Sequence, residues 1–249
     1  MQNDIKNRLK QVDALQAKIK NLRPLKKEEL KQLKEYFKIG LTYSSNALEG
    51  NSLTETETKI VIEDGITIGG KPIRDHLEVI GHSEAFDYLY EIHNSQNITE
   101  ENILNLHKFF YHHIDPENAG SYRKVRVIVT GSKFKFPEPN KVAALMNKFI
   151  QNIPNKRKEL HPVLFAVYLH NEFIEIHPFV DGNGRVARLL MNLSLFRDGY
   201  PVTILPPVLR KDYINSLEKA HFGDVQDFQE FIINCVLEAQ KEYMRLIPS

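Results

Sequence analysis

The chain has 249 residues, 42% hydrophobic and 26% charged, the balance of an ordinary soluble protein long enough to bury a sizeable core. Its formal net charge of +1 gives no electrostatic reason for nucleic-acid binding, which needs a clustered basic excess, and its single cysteine, Cys235, excludes an intrachain disulfide. No apolar run is long enough to cross a bilayer and the opening Met-Gln-Asn-Asp-Ile-Lys is no secretory signal, so the expectation is a cytoplasmic protein without membrane contact.

In chain order, Ile5, Leu9, Val12, Leu15, Ile19 and Leu22 recur at intervals of three and four and predict a helix closed by Pro24. Lysines crowd between Lys18 and Lys38, but Glu28, Glu29 and Glu35 interleave with them, as on a solvated helix face. A second helix is expected from Lys27 to Glu49, with Leu30, Leu33, Phe37, Leu41 and Leu48 near one stripe and Gly50 as its stop. Thr54 followed by Glu57 makes a capping box for a third. The glycine-rich stretch from Gly65 to Gly70 reads as a loop before a helix from Ile73 to Asn94, and Thr99 caps another that runs to His113. His112 and His113 then fall at a helix end, where imidazoles suit the dipole.

From Arg126 to Phe136 the pattern changes to Arg-Val-Ile-Val-Thr-Gly-Ser-Lys-Phe-Lys-Phe, β-branched and aromatic residues around a Gly-Ser turn, which predicts a β-hairpin. Helices resume over Lys141–Gln151, Val163–Ile174, Gly184–Arg197, Leu209–His221 and Asp224–Leu246. Cys235 lies in the apolar run Phe231 to Leu237 and reads as a buried, inert thiol. With no low-complexity linker or internal repeat, one compact, mainly α domain spans 1–249. Within it, 1–43 forms N-terminal helices, 44–94 a second group, 95–231 the core and 232–249 the end of the last helix.

The chemistry gathers at residues 177 to 188, His-Pro-Phe-Val-Asp-Gly-Asn-Gly-Arg-Val-Ala-Arg. Gly182 and Gly184 let backbone N–H groups approach an anion, and the helix that starts there points its positive end at the same place. Arg185 and Arg188, three apart, share a helical face and can both reach phosphate oxygens. Asp181 is a hard oxygen ligand of the kind Mg2+ takes together with substrate phosphates. His177 can accept a proton near neutrality. Phe179, apolar between His177 and Asp181, anchors the loop in the core. The set suits phosphate-ester chemistry. A metal hydrolase on His170 and His177 with Glu172 or Glu175 would lack a His-Glu-x-x-His motif, and His170 reads instead as a packed residue.

The run resembles the signature of the Fic family, His-Pro-Phe-x-Asp-Gly-Asn-Gly-Arg-x-x-Arg, with every specified position matched and Asn192 following. The likeness extends from about Ser44 to about Phe231 and includes Gly120-Ser121-Tyr122-Arg123. It implies a Fic-type helical bundle with a short hairpin flap, and transfer of AMP from ATP to a Tyr, Thr or Ser hydroxyl of a target protein. By resemblance, His177 is the base, and Asp181 holds Mg2+, or Mn2+ in its place. The Gly182, Asn183 and Gly184 N–H groups with the Asn183 amide bind the α-phosphate, while Arg185 and Arg188 neutralise the β- and γ-phosphates. Val127, Ile128, Val129 and Thr130 would lie against nucleotide and target, by strand addition. Arg210, Tyr213, Leu217, Ala220, Gly223 and Asp224 fit a further family pattern that puts Tyr213 near the adenine or ribose. His221 stands where close relatives often carry asparagine for a base contact.

Ser45-Asn46-Ala47-Leu48-Glu49-Gly50 matches a second family motif, Ser/Thr-x-x-x-Glu-Gly/Asn. A carboxylate in the last turn of a helix opposes the dipole and needs a partner. In relatives this glutamate pairs with the second signature arginine, here Arg188, and restrains the γ-phosphate. Some relatives use the same glutamate to align water and remove AMP. A reading of another class is a non-catalytic, nucleotide-sensing adaptor. A homodimer is compatible with the family.

Overall fold

The computed structural model describes residues 2–22, 25–95 and 97–247. Ten α-helices fill most of that span: α1 Gln2–Asn21, α2 Lys27–Ala47, α3 Glu55–Asp64, α4 Ile73–Ile92, α5 Glu100–Tyr111, α6 Pro139–Glu159, α7 Pro162–Ile176, α8 Asn183–Arg197, α9 Arg210–His221 and α10 Gln226–Leu246. A 3-10 turn, Pro207–Leu209, leads into α9. No helix among them is long and apolar enough to cross a membrane.

Local chemistry sets several boundaries. The Thr54 hydroxyl accepts from Glu57 N and the Glu57 carboxylate accepts from Thr54 N, the reciprocal capping box that starts α3. Thr99 and Asn102 do the same for α5. The expected stop of the first helix at Pro24 lies outside the described residues. Helix α2 closes at Ala47, two residues earlier than its apolar stripe suggests, so Glu49 stands in the turn beyond it; Gly50 completes that turn at φ +97°. Helix α6 runs past the expected Gln151 to Glu159, carrying Pro154 inside it.

The core is built on α7 and α8, which pack against each other and leave the signature loop as their connection. Phe165, Phe173, Phe179, Leu189, Leu193 and Phe228 are fully enclosed there, and Cys235 is buried too, its thiol pushed up to about 12 by burial. Around this pair stand α4 with α5 on one side and α9 with α10 on the other. Helix α1 lies along α10, where Gln240 donates to Val12 O and Gln16 Oε1 while Gln16 donates to Gly199 O. The N-terminal residues, which carry no motif, are thereby packed into the same core.

One expectation fails. Among the described residues no strand forms, and Arg126–Phe136 is an irregular loop rather than a hairpin. Its β-branched residues find no partner strand, and its polar groups are spent elsewhere. The turn is closed by Ser132 N donating to Val129 O, and its tip is held by Glu218 of α9, which accepts from Ser132 Oγ at 2.7 Å and Lys133 N at 2.7 Å. At its feet the Arg123 guanidinium donates to Val125 O at 3.0 Å and Pro137 O at 2.6 Å. Strand propensity reports fitness for a pleated surface, which this segment lacks.

Candidate active site

Helix α7 ends by placing His177 in the left-handed region at φ 50°, the sole non-glycine residue with positive φ among those described. Its N–H still donates to Phe173 O, and its carbonyl accepts from Arg123 Nε at 2.7 Å. Nδ1 lies 3.3 Å from Ile174 O. A carbonyl can only accept, so Nδ1 carries the hydrogen and Nε2 keeps its lone pair. Burial pushes this imidazole down to about 4, so it is neutral at physiological pH. The ring of Phe136 covers it at a centroid distance of 4.4 Å.

The loop beyond is pinned from below. Phe179 stacks on His107 at 3.7 Å with 5° between the planes, and Asn183 bridges to Phe179, accepting from its N–H and donating to its carbonyl, each at 2.9 Å. The Asn183 amide therefore also shapes the loop: its oxygen and one Nδ2 hydrogen are held by Phe179, which leaves the second Nδ2 hydrogen and the backbone N–H for an anion. His107 Nε2 donates to Asp181 O at 3.2 Å, and its Nδ1 accepts from Gly120 N at 2.9 Å. Gly182, at φ +79°, begins α8 against Phe110, whose ring a Cβ there would meet at 2.7 Å.

Asp181 lies between two arginines. One carboxylate oxygen accepts from Gly182 N at 2.6 Å and lies 3.4 Å from Arg185 Nη2, while the other accepts from Arg74 Nη2 at 2.5 Å. Glu78, one turn beyond Arg74 on α4, lies 3.1 Å from both Arg74 Nε and Arg185 Nη1. The Arg185 guanidinium also sits 4.5 Å from the Phe110 ring centre. Arg185 and Arg188 start from one helical face, yet different acids hold their heads.

Arg188 is almost wholly buried. It donates through Nε to Ser45 Oγ at 2.9 Å, and through Nη2 to Ser45 O at 2.8 Å and Glu49 Oε1 at 2.7 Å; Nη1 lies 3.4 Å from Tyr213 OH. Glu49 keeps 35% of its side chain exposed. Burial opposes its charge, but Arg188 and Arg185 outweigh that and hold its pKa below the usual carboxylate value. Its Oε1 hangs over the start of α8, where a Cβ on Gly184 would fall 2.2 Å away. The carboxylate thus occupies the place at a helix N-terminus where an anion is favoured. Arg210 Nε donates to Leu48 O at 2.6 Å and fixes the turn that carries Glu49.

Other expected positions lie differently. Tyr213 is buried beneath Arg188, its hydroxyl 3.0 Å from His170 Nε2, so it supports the arginine rather than lining a nucleotide surface. Among the described residues no metal-ligand group forms around His170 and His177. His221 packs against Phe134 at 4.7 Å and Phe136 at 6.2 Å, facing the loop that covers His177. Val127 and Val129 are half-buried and Thr130 is exposed, while Ile128 is 94% exposed. Four functional neighbours escaped the sequence reading: Arg74, Glu78, His107 and Arg123. Two of them carried a signal: Arg123 stands in the Gly120-to-Arg123 motif, and His107 is a histidine on the buried stripe of Ile103, Leu106 and Phe110.

Residues 97–195 match the Fic/DOC family. The chain belongs to the Fic family. The protein adenylyltransferase Fic of Nematostella vectensis is 38% identical over 205 residues, 81% of this chain and 48% of that relative. Its Drosophila melanogaster counterpart is 37% identical over 204 residues, 81% of this chain and 41% of that one. The chain therefore spans about half the length of the curated relatives it matches. Among solved structures, Fic-1 from C. elegans superposes with a TM-score of 0.89 at 28% identity, covering 98% of this chain and 73% of that one. A Fic domain containing signaling protein from Bacteroides thetaiotaomicron gives 0.85 at 29%, covering 95% and 97%.

The Fic core also carries an acid liability. Burial holds His82 at about 3, His107 and His177 at about 4, and His170 well below its ordinary value. Once unfolded, each takes up a proton near pH 6.5. Between about pH 6.5 and 4 the unfolded chain binds more protons, so stability falls with pH, by about 1.4 kcal/mol per pH unit for each such histidine. Burial raises Glu172, Glu175 and Asp198, which act in the opposite sense with smaller shifts. Thermal melts should show a Tm that is flat above about pH 7 and drops steadily below about 6.5; a Tm unchanged across that range would contradict it.

Proposed function

We propose that this Fic protein transfers AMP from ATP to a hydroxyl group of a target protein, and that the structure is its restrained state. Supporting the first part is His177, a neutral imidazole whose Nε2 keeps its lone pair and which opens the loop leading into α8. In the reaction Nε2 takes the proton of the target hydroxyl, whose oxygen attacks the α-phosphorus as the bond to the bridging oxygen of pyrophosphate breaks. Backbone N–H groups at Asn183 and Gly184 stabilise the charge growing on the α-phosphate, the Gly182 N–H being held by Asp181. Supporting the second part is the Arg188–Glu49 pair at 2.7 Å, which spends on a carboxylate the guanidinium that would hold the γ-phosphate.

Asp181 offers one partly exposed carboxylate beside the anion site, the donor set Mg2+ uses when phosphates and waters complete its shell. When bound, the ion would offset charge on the leaving pyrophosphate. Arg74 competes for the same oxygen. Arg74→Ala is expected to tighten Mg2+ binding up to about fivefold, the worth of a partly exposed ion pair, as read by calorimetry with a non-hydrolysable ATP analogue; unchanged or weaker binding would refute the competition. The loop over 125–137, with its backbone outside any ladder and Ile128 exposed, is the segment onto which a target chain would add as a strand.

Incubation with α-labelled ATP, followed by mass spectrometry of modified peptides, tests the reading. Nucleotide binding without covalent transfer, even once Glu49 is removed, would make the protein an adaptor. A reverse activity has one observation in its favour: Glu49 binds Arg188 through Oε1 while its side chain stays partly open, so the carboxylate can also orient a water. Release of AMP from a modified protein would reveal it.

A further inference from the structure

Away from the signature loop, three side chains converge that neither the fold nor the proposed reaction uses. Glu84 lies on α4, and His112 and His113 follow the end of α5. Gly81, where a Cβ would fall 2.1 Å from the Phe110 carbonyl, lets the two helices approach closely enough for them to meet. His113 Nε2 lies 3.0 and 3.1 Å from the two Glu84 oxygens, and His112 Nε2 is 3.6 Å from Oε2. Consecutive residues at a helix end do not normally face one another, yet these rings sit 3.7 Å apart and turn to the same carboxylate.

The hydrogen positions make the cluster unusual. His112 Nδ1 lies 3.1 Å from Lys108 O and 3.0 Å from Phe109 O. Both are carbonyls, so Nδ1 carries a hydrogen and Nε2 is the ring atom turned towards Glu84. Nitrogen and carboxylate oxygen turned on one another need a proton or a metal ion between them, and the convergence of two imidazoles on one carboxylate gives a metal ion three ligand atoms. A ligating histidine tied through its other nitrogen to a backbone carbonyl is how metal sites fix the tautomer.

We infer that Glu84, His112 and His113 form a binding site for a divalent transition-metal ion of the zinc class. Two imidazoles and one carboxylate suit zinc, cobalt or nickel rather than magnesium or calcium, and three protein ligands leave a position for water. The side chains keep 33% to 39% of their surface exposed, so the ion has access. It would tie α4 to the end of α5. Those helices supply Arg74 and Glu78, and His107 and Phe110, around Asp181 and Gly182. The ion would therefore stiffen one wall of the active site from its outer side.

Calorimetry of the full, chelator-treated chain with zinc chloride is expected to show one ion bound here. Binding should weaken at least about tenfold in Glu84→Gln and in the double variant His112→Ala/His113→Ala, and persist in His177→Ala. Cobalt in place of zinc should give a visible absorption band that the double variant lacks, and zinc should raise Tm only where the site is intact. Circular dichroism of the metal-free variants matching the parent shows that the fold is retained. Absence of zinc heat and of the cobalt band in the parent, or equal binding in the double variant, overturns the assignment; in the latter case a proton fills the gap.

Discussion

Glycine in place of Glu49 is expected to raise AMP transfer by about ten- to a hundredfold. Arg188 has five N–H donors, and its four contacts go to Ser45 Oγ, Ser45 O, Glu49 and Tyr213. Three of these hold the guanidinium in place without opposing charge. The fourth, to Glu49, is the one that a phosphate would have to displace under the proposed reaction. A charge-assisted hydrogen bond contributes roughly 1.5 to 3 kcal/mol, and each 1.36 kcal/mol is about tenfold in rate. Glu49→Gln retains an acceptor but no charge and should fall between parent and glycine variant. Initial rates of label incorporation from α-labelled ATP measure the series; identical rates in all three would show that the ion pair restrains nothing.

In that released background, loss of the His177 imidazole is expected to lower transfer by about a hundred- to ten-thousandfold, the usual worth of a general base. Alanine would also disturb the left-handed backbone at this position. Asparagine tolerates that conformation far better, so His177→Asn separates the lost base from the lost shape. Both variants should bind nucleotide within a few-fold of the parent. Full activity in the asparagine variant would remove His177 from the mechanism. Because a base works only when unprotonated and burial holds this one near 4, the rate should stay level well below pH 6.5, where an exposed histidine would already have lost half its activity.

Much of the site was legible because its chemistry is contiguous in sequence. The run from His177 to Arg188 holds the proposed base, the loop and the start of α8 within twelve residues, and Phe179 within it is buried as expected. The Ser45-to-Gly50 motif named Glu49 as a partner of Arg188, whereas the contacts from Ser45 and Tyr213 were not legible there. What escaped depends on tertiary approach. Arg74 and Glu78 read as charges on an ordinary helix until α4 is laid beside Asp181. Arg123 belonged to a quoted motif, but its reach to His177 O, Val125 O and Pro137 O spans three chain segments. The hairpin failed for the opposite reason: its residues favour a strand, and no strand lies beside them. The family resemblance assigned the Asn183 amide to the α-phosphate, and only the structure shows that this amide also closes the loop on Phe179.

The Arg123 clasp bears on how such a protein can diversify. One guanidinium gathers both feet of the 125–137 loop and the carbonyl of the base itself. Insertions or swaps around Gly131 change the tip while leaving those three carbonyls where they are. Changes near Val125 or Pro137 shift the imidazole along with the loop. Under the proposed function, new targets would be accommodated by rewriting the crest of the loop, whereas its base would have to be inherited intact.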